Sequence, residues 1–390
     1  MSELLESRWS DTKSALLEGL SGTKKSVMAT TLENTRKYLS ESAGAGATSA
    51  GNVATLNRVI LPVIRRVMPT VIANELVGVQ PMTGPVGQIH TLRVRYADTF
   101  NDGASGATAG EEALSPFKIA ESYSGATTGK AANTAALEGA AGNKLSIQIL
   151  KQTVEAKSRK LSARWTFEAA QDAQSMHGID VEAEIMAALA QEITAEIDQE
   201  VIGSLVTLSG TAAQTYNQGT VSGTATFVGD EHAALAVQIN RASNLIAQRT
   251  RRGAGNWAVV SPFALTILQS ATTSAFARTT EGVFEAPTNT KMVGTLNNAM
   301  KVYVNTYAAD SSPVLIGYKG ASESDAAAFY CPYIPLMSSG VVLDPTSFEP
   351  VVSFMTRYGY VELNNTASSL GNAADYLANV AITDTSVSFS

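Results

Sequence analysis

Residues 75–96 read ELVGVQPMTGPVGQIHTLRVRY. Two prolines and three glycines fall between Gly78 and Gly87, and the run behind them alternates strictly. Ile89, Thr91, Arg93 and Arg95 take one face; His90, Leu92, Val94 and Tyr96 take the other. Proline fixes φ and glycine supplies the remaining turn conformations, so 78–87 reads as a rigid turn feeding a strand that leaves the body of the protein.

That strand needs a partner, and the next strand-like run is LSIQILKQTVEAKSRKLSARWTF at 145–167. Between them, 97–142 is built of Gly, Ala, Ser and Thr with scattered charges. It is too long for an ordinary loop in a compact domain. Two long strands with a soft tip form an extended β-arm. Such an arm does not bury a core of its own and lies on a neighbouring subunit.

Upstream, residues 1–41 carry apolar residues at loose helical spacing, from Leu16 to Leu39, and equal numbers of acidic and basic residues. SAGAGATSAGN at 42–52 follows as a linker by composition. Pro62 and Pro69 divide the next amphipathic stretch into short helical pieces. Arg65 and Arg66 there are a candidate phosphate pair, but a solvated face opposite Ile60, Val63, Val67 and Val71 accounts for them better.

Downstream, IDVEAEIMAALAQEITAEIDQEVIGSL predicts a long helix over 180–205, with Asp180 as N-cap and Glu182 and Glu184 at its positive end. Val181, Ile185, Leu189, Ile193, Ile197, Val201 and Leu205 recur every fourth residue, a stripe that winds about 40° per step. Glu192, Glu196 and Glu200 repeat on another face and read as solvated. A hairpin-like stretch at 209–229 and a second helix at 231–250 follow, the latter with Leu235, Ile239, Ala242 and Ile246 on one face and Arg249, Arg251, Arg252 and Gly253 at its end. Strands NWAVVSP, KVYVNTY and VLIGYKG with a helix over 262–270 predict a mixed α/β domain, and the tail from Gly340 to Asn364 returns to strand.

Composition narrows the function. Charged residues make up 16% and the net charge is −7, with 28 basic against 35 acidic side chains, which opposes phosphate-driven nucleic-acid binding. The lone Cys331 excludes an intramolecular disulfide framework and a cysteine zinc site. It sits in FYCPYIP and reads as a small buried hydrophobe. His90, His177 and His232 stand at no ligand spacing. Phosphate-loop, dinucleotide and nucleophile-elbow patterns are absent. No apolar run is of membrane-spanning length, and the N-terminus lacks the charge and apolar core of a secretory signal. The expectation is a structural protein, with no catalytic residues, cofactor or metal, made in the cytoplasm.

Three segments carry a resemblance: VIRRVMPTVIANELVGVQPMTGPVGQIHTLRVRY at 63–96, QTVEAKSRKLSARWTFEAAQDAQSMHGIDVEAEIMAALAQEITAEIDQEV at 152–201, and YKGASESDAAAFYCPYIPLMSSGVVLDPTSFEPVVSFMTRYGY at 318–360. Together they resemble the major capsid protein of T-even-like contractile-tailed bacteriophages. The resemblance implies an α+β fold of the Hong Kong 97 type, with an N-terminal arm (1–75), an E-loop hairpin with its strands (76–165), a peripheral domain with a spine helix (166–235, spine 180–205), a mixed axial domain (236–345) and a C-terminal return (346–390). T-even relatives carry an insertion domain on the E-loop; the low-complexity segment after Tyr96 implies that it is absent or reduced here.

The implied function is self-assembly into hexamers and pentamers that form an icosahedral head enclosing double-stranded DNA without reading its sequence. The implied location is the virion, after assembly in the bacterial cytoplasm without a membrane. The implied partners are scaffold, portal, prohead protease and decoration proteins. The family's prohead protease cuts after Glu in a Leu/Ile-X-Glu pattern, which Leu39, Ser40 and Glu41 match at the start of the linker, and Leu16-Leu17-Glu18 and Leu4-Leu5-Glu6 match further upstream; residues 1–41 are therefore a candidate propeptide, with a permanent internal arm as the alternative. An encapsulin-like compartment shell of the same fold is the rival reading.

Overall fold

The structure is a computed structural model. It describes residues 9, 13–14, 17, 25–34, 72–100, 106–111, 113, 123–125, 131–139, 142–177, 180–217, 228–250, 252–271, 276–278, 291–297, 299–322, 325–347, 349–363 and 373–383. In chain order the elements are helix α1 (25–34), β1 (Gly78–Val79), β2 (Val86–Tyr96), β3 (Leu145–Glu155), β4 (Lys157–Arg164), α2 (Phe167–His177), α3 (Val181–Ser209), β5 (Gln214–Tyr216), α4 (Val228–Thr250), β6 (Trp257–Val260), α5 (Pro262–Ser270), β7 (Phe276–Arg278), β8 (Lys291–Leu296), β9 (Met300–Val304), β10 (Val314–Gly317), β11 (Ala328–Ser338), β12 (Val342–Leu343), β13 (Pro350–Glu362) and β14 (Leu377–Ile382).

The chain divides into two compact units, each drawn from three separate stretches. The first comprises residues 1–87, 154–203 and 329–361. Its sheet runs β1-β11-β13-β12, with β4 also paired to β13. β1 lies parallel to β11, Gly78 opposite Phe329. β4 runs antiparallel to β13 from Val351 opposite Arg164 to Tyr358 opposite Lys157. β13 alternates buried and half-buried residues along most of its length, the signature of a strand with one face on the core. β11 is buried almost throughout, so it shows no alternation.

The helix predicted over 180–205 is α3, which extends to Ser209. At 1.5 Å per residue it is roughly 43 Å long. Asp180 caps it, Oδ1 accepting from Glu182 N at 3.1 Å and Ala183 N at 3.4 Å. Ile193, Ile197, Val201 and Leu205 of the winding stripe are buried, while Val181 and Ile185 are only half-buried.

The second unit comprises 88–153, 204–328 and 362–390. Its seven-stranded mixed sheet has the order β5-β14-β10-β6-β9-β8-β7, with β5–β14 and β6–β9 parallel and the other neighbours antiparallel. One core joins Leu235, Ile239 and Ile246 of α4 and Ile267 of α5 to Val260, Val302, Ile316 and Val380 of the sheet. Ser261 caps α5 by accepting from Ala264 N at 3.2 Å, with Pro262 at the first helical position, where its missing N–H is harmless. Gly317 lies opposite Trp257, and a Cβ there would stand 2.0 Å from the indole ring.

Four expectations change. The run 145–167 is two strands broken at Ala156, whose N–H bonds Pro85 O while β4 turns to β13. The stretch read as a hairpin at 209–229 holds β5, which pairs parallel with distant β14 instead; 218–227 lie outside the described residues. β7, β8, β11, β14 and helix α2 were not anticipated. The arm's tip also has a small core after all: Tyr96, Ala107, Ala113 and Tyr123 are buried together, with Val94 and Phe100 against them. The Tyr96 and Tyr123 ring centroids are 4.5 Å apart, and Tyr123 OH donates to Lys144 O at 2.7 Å.

Candidate functional site

β2 and β3 form a two-stranded sheet by themselves, covered at one end of β2 by the tip cluster on Val94 and Tyr96 and at the end of β3 around buried Val154. Leu145, Ile147 and Ile149 of β3 share one parity and are 53%, 69% and 65% exposed; Val86 and Leu92 of β2 are 57% and 65% exposed. Apolar side chains in register along a strand normally face a core. Here five of them face outward on a hairpin, which marks an interaction surface. A second, shorter row, Val341, Val342 and Leu343, is exposed around β12.

The most highly charged cluster of the first unit lies between β4, β13 and α3. Arg159 Nη1 meets Glu196 Oε2 at 2.7 Å, Nη2 meets Glu200 Oε2 at 2.6 Å, and Nε donates to Tyr358 OH at 2.6 Å. Tyr358 OH in turn donates to Glu200 Oε2. Burial pushes the Glu200 carboxyl up, but the hydrogen bonds from Arg159 and Tyr358 outweigh it and hold the group below the usual carboxylate range. Glu192 and Glu196 are exposed, as the solvated-face reading of the carboxylate repeat expects, but Glu196 and the half-buried Glu200 are also ion-paired to Arg159, which that reading did not include.

Between Glu196 and Glu200 in sequence but about half a turn away around α3, Asp198 is buried and accepts from Ile72 N at 2.9 Å, fixing the backbone where it enters the single helical turn Ala73–Leu76. Burial raises its carboxyl to about 7, against the smaller opposing pull of the Ile72 hydrogen bond. Cys331 is buried, and burial pushes its thiol up to about 12, as expected of a packed rather than reactive cysteine.

His232 is buried with Nδ1 2.6 Å from Ser270 Oγ. This is no activated nucleophile: Ser270 Oγ donates to Ile267 O at 3.1 Å, and burial holds the imidazole below its usual pKa despite Glu231. His90 is exposed on β2. Among the described residues no group of His, Cys, Asp and Glu is arranged to hold a metal ion, and no helix is long and apolar enough to cross a membrane. Arg65, Arg66 and the Leu39-Ser40-Glu41 motif lie outside the described residues.

Sequence reasoning missed two contributors. Tyr123 was lost in a low-complexity segment. Asn34 is buried in the first unit, where Nδ2 donates to Met82 O at 2.7 Å and Tyr333 O at 3.0 Å. The apolar spacing of Met28 and Leu32 was the only signal for α1, and nothing in it indicated that the helix packs on the body.

The family model described as Major capsid protein Gp23 matches residues 53–386. The major capsid protein of Enterobacteria phage T4 is 30% identical over 425 residues, spanning 86% of this chain and 80% of its own length. That of Vibrio phage KVP40 is 28% identical over 424 residues, spanning 85% and 82%. Both alignments are longer than the chain itself, so each relative carries stretches that are absent here. Similar solved structures include one titled Mycobacterium phage Bobi, at 15% identity, TM-score 0.49 and coverage of 80% of this chain and 90% of that one. Another is titled The capsid of Myoviridae Phage XM1, at 10% identity, TM-score 0.44 and coverage of 80% and 91%.

Proposed function

Since the chain belongs to the Gp23 major capsid protein family, we propose that it builds the icosahedral head shell of a tailed phage by self-assembling into hexamers and pentamers around double-stranded DNA. The observation in the molecule that carries this is the outward-facing apolar row of β2 and β3. A monomer leaves that surface in water, whereas a ring of copies buries it.

In this reading the fold is of the Hong Kong 97 type. The β2–β3 hairpin serves as the E-loop, reduced at its tip to the Tyr96–Tyr123 cluster. Helix α3 serves as the spine, and the seven-stranded sheet with α4 and α5 forms the body of the axial domain. Three features support these assignments: the pairing of β2 and β3 as a two-stranded sheet of their own, the length of α3, and relatives whose alignments carry stretches this chain lacks. Scaffold, portal, prohead protease and decoration proteins are the partners such a shell requires.

The excess of acidic over basic residues supports confinement of DNA without tight binding. The prohead protease is proposed to cut after Glu41, because Leu39, Ser40 and Glu41 match its pattern in front of the linker.

Electron microscopy of the purified full-length protein tests the shell reading: closed icosahedral particles are the expected result, and a protein that stays monomeric at high concentration overturns it. Mass spectrometry of mature particles tests the cut. A peptide containing Met1 or Ser2 at full occupancy rules it out.

A further inference from the structure

His232 lies near the start of α4 and joins it to the end of α5, buried, with Nδ1 2.6 Å from Ser270 Oγ. The hydrogen bonds decide which ring nitrogen carries the proton. Ser270 Oγ has a single proton, and it goes to Ile267 O at 3.1 Å. Towards His232 the hydroxyl is therefore an acceptor, and Nδ1 is the donor. Nε2 is left as a bare lone pair, buried and without a hydrogen-bond partner among the described residues. The other tautomer would bury an unpaired N–H at Nε2 and withdraw the Ser270 proton from Ile267 O, which is the costlier arrangement.

A proton arriving at Nε2 creates an N–H with no acceptor and a positive charge held out of water. Little around the ring compensates for it. α5 contains no charged residue. β5 contributes Tyr216, whose hydroxyl already donates to Glu231 O at 3.3 Å. Segments 217–227 and 271–277, which lead into α4 and out of α5, contain no ionisable residue. The carboxylates nearest in the chain are Asp230 and Glu231. Burial outweighs the pull of Glu231 and holds the imidazole below its usual 6.5.

We infer that His232 is an acid-sensitive latch: neutral, it ties α4 to α5, and protonated at Nε2 it turns out to water and frees that corner of the second unit. This goes beyond the shell reading and does not rest on it. With the ring exposed, the opened unit binds the proton more readily than the closed one. The latch is therefore fully effective above about pH 6.5 and is lost as pH falls towards the folded value. Across that window the local opening constant rises by up to about tenfold per pH unit. Asp198 in the first unit has the opposite sign, because burial raises its carboxyl. Acid thus loosens one unit at His232 and firms the other at Asp198.

Nitrogen-15 histidine spectra of the full-length chain, taken by solid-state NMR so that assembly is no obstacle, read the ring directly. The chain has three histidines. The His232 signals are assigned by their loss in His232→Asn, or by elimination through His90→Asn and His177→Asn. At about pH 7.5 Nδ1 should carry the proton and Nε2 should be bare, with Nε2 gaining its proton only below about pH 6.5. A protonated Nε2 at the higher pH, or titration at or above 6.5, overturns the latch.

Hydrogen exchange by mass spectrometry, corrected for the intrinsic rate at each pH, reads the consequence. Peptides within 228–236 and 262–270 should exchange at least several-fold faster at about pH 5.5 than at about pH 7.5. His232→Asn keeps a donor at the Nδ1 position but does not titrate, and it should lose that difference. A parent chain that lacks the difference, or a variant that retains it, overturns the latch. Where His232→Asn does not fold, the NMR titration of the parent chain decides.

Discussion

Replacing Ile147 and Ile149 together by threonine weakens assembly while leaving the subunit folded. Both side chains are largely exposed, at 69% and 65%. Burying a whole isoleucine is worth about 1.5–3 kcal/mol, so about two thirds of that, roughly 1–2 kcal/mol each, remains to be gained against a neighbour. Threonine keeps the β-branching that suits a strand, so the hairpin's own propensity changes little. The pair therefore removes up to roughly 2–4 kcal/mol per docked hairpin, a roughly 30- to 700-fold loss in association constant. Thermal unfolding of the dissociated subunit should move by less than the equivalent of about 0.5 kcal/mol, as for other surface substitutions. Sedimentation velocity across a concentration series gives the onset of capsomer formation. An unchanged onset refutes the claim that this face is buried on assembly, and a large drop in subunit melting temperature refutes the claim that it is free in the monomer.

Asp198 gives the first unit a pH dependence. Its folded carboxyl titrates near 7 against about 3.9 when unfolded, so its contribution is most favourable below pH 4 and is lost as pH rises towards 7, by up to ~4 kcal/mol. Asp198→Asn, which keeps an acceptor for Ile72 N, should flatten melting temperature between pH 5 and pH 8; an unchanged slope refutes the assignment. Arg159→Met has the opposite signature. Glu200 is held below its usual range, so the ion pair stabilises above pH 4 and fades in acid. Because the pair is substantially exposed, screening keeps the loss at pH 7 to the order of 1 kcal/mol, and denaturant titrations of the variant and the parent should differ at pH 7 and converge at pH 3. Gly317→Ala drives a methyl into the Trp257 ring and should cost about 1–3 kcal/mol or more, read as loss of the tryptophan fluorescence transition at lower denaturant. Tyr123→Phe removes the hydrogen bond to Lys144 O and should raise hydrogen exchange around 143–145 without moving global stability.

The parts of the fold that could be read from the sequence are those specified by local chemistry. β2 shows alternation behind a proline and glycine turn. α3 and α5 carry caps at Asp180 and Ser261, and α4 carries its apolar face at helical spacing. What could not be read depends on partners distant in sequence. Nothing in QTVEAKSRK marks a break at Ala156; β4 diverges because β13, nearly two hundred residues later, is there to pair with it. β11 hides for a different reason: a strand buried on both faces has no alternation, and its prolines argue against a strand altogether. The carboxylate repeat of α3 reads as solvated until Arg159 arrives from another element. A three-residue strand such as β5 lacks enough residues to display any period.

The N-terminal segment was read as detachable, yet α1 is packed into the first unit; energetics reconcile the two. Val27, Met28 and Leu32 are each worth at most about 1.5–3 kcal/mol of apolar burial, roughly 5–9 kcal/mol together as an upper bound. While the chain is continuous, α1 need only be ordered locally and that sum holds it in place. A cut after Glu41 leaves every contact of Asn34, Leu32 and Met28 untouched, but the helix is then a separate molecule. Keeping it bound now also costs the translational and rotational freedom of association, of order 4–15 kcal/mol at a 1 M reference and more at cellular dilution. The balance reverses without any change at the Met82–Tyr333 site. A well-packed helix and a removable one are thus the same object on either side of one peptide bond: under the proposed cut after Glu41, the site beside Met82 and Tyr333 that α1 fills in the uncut chain would open.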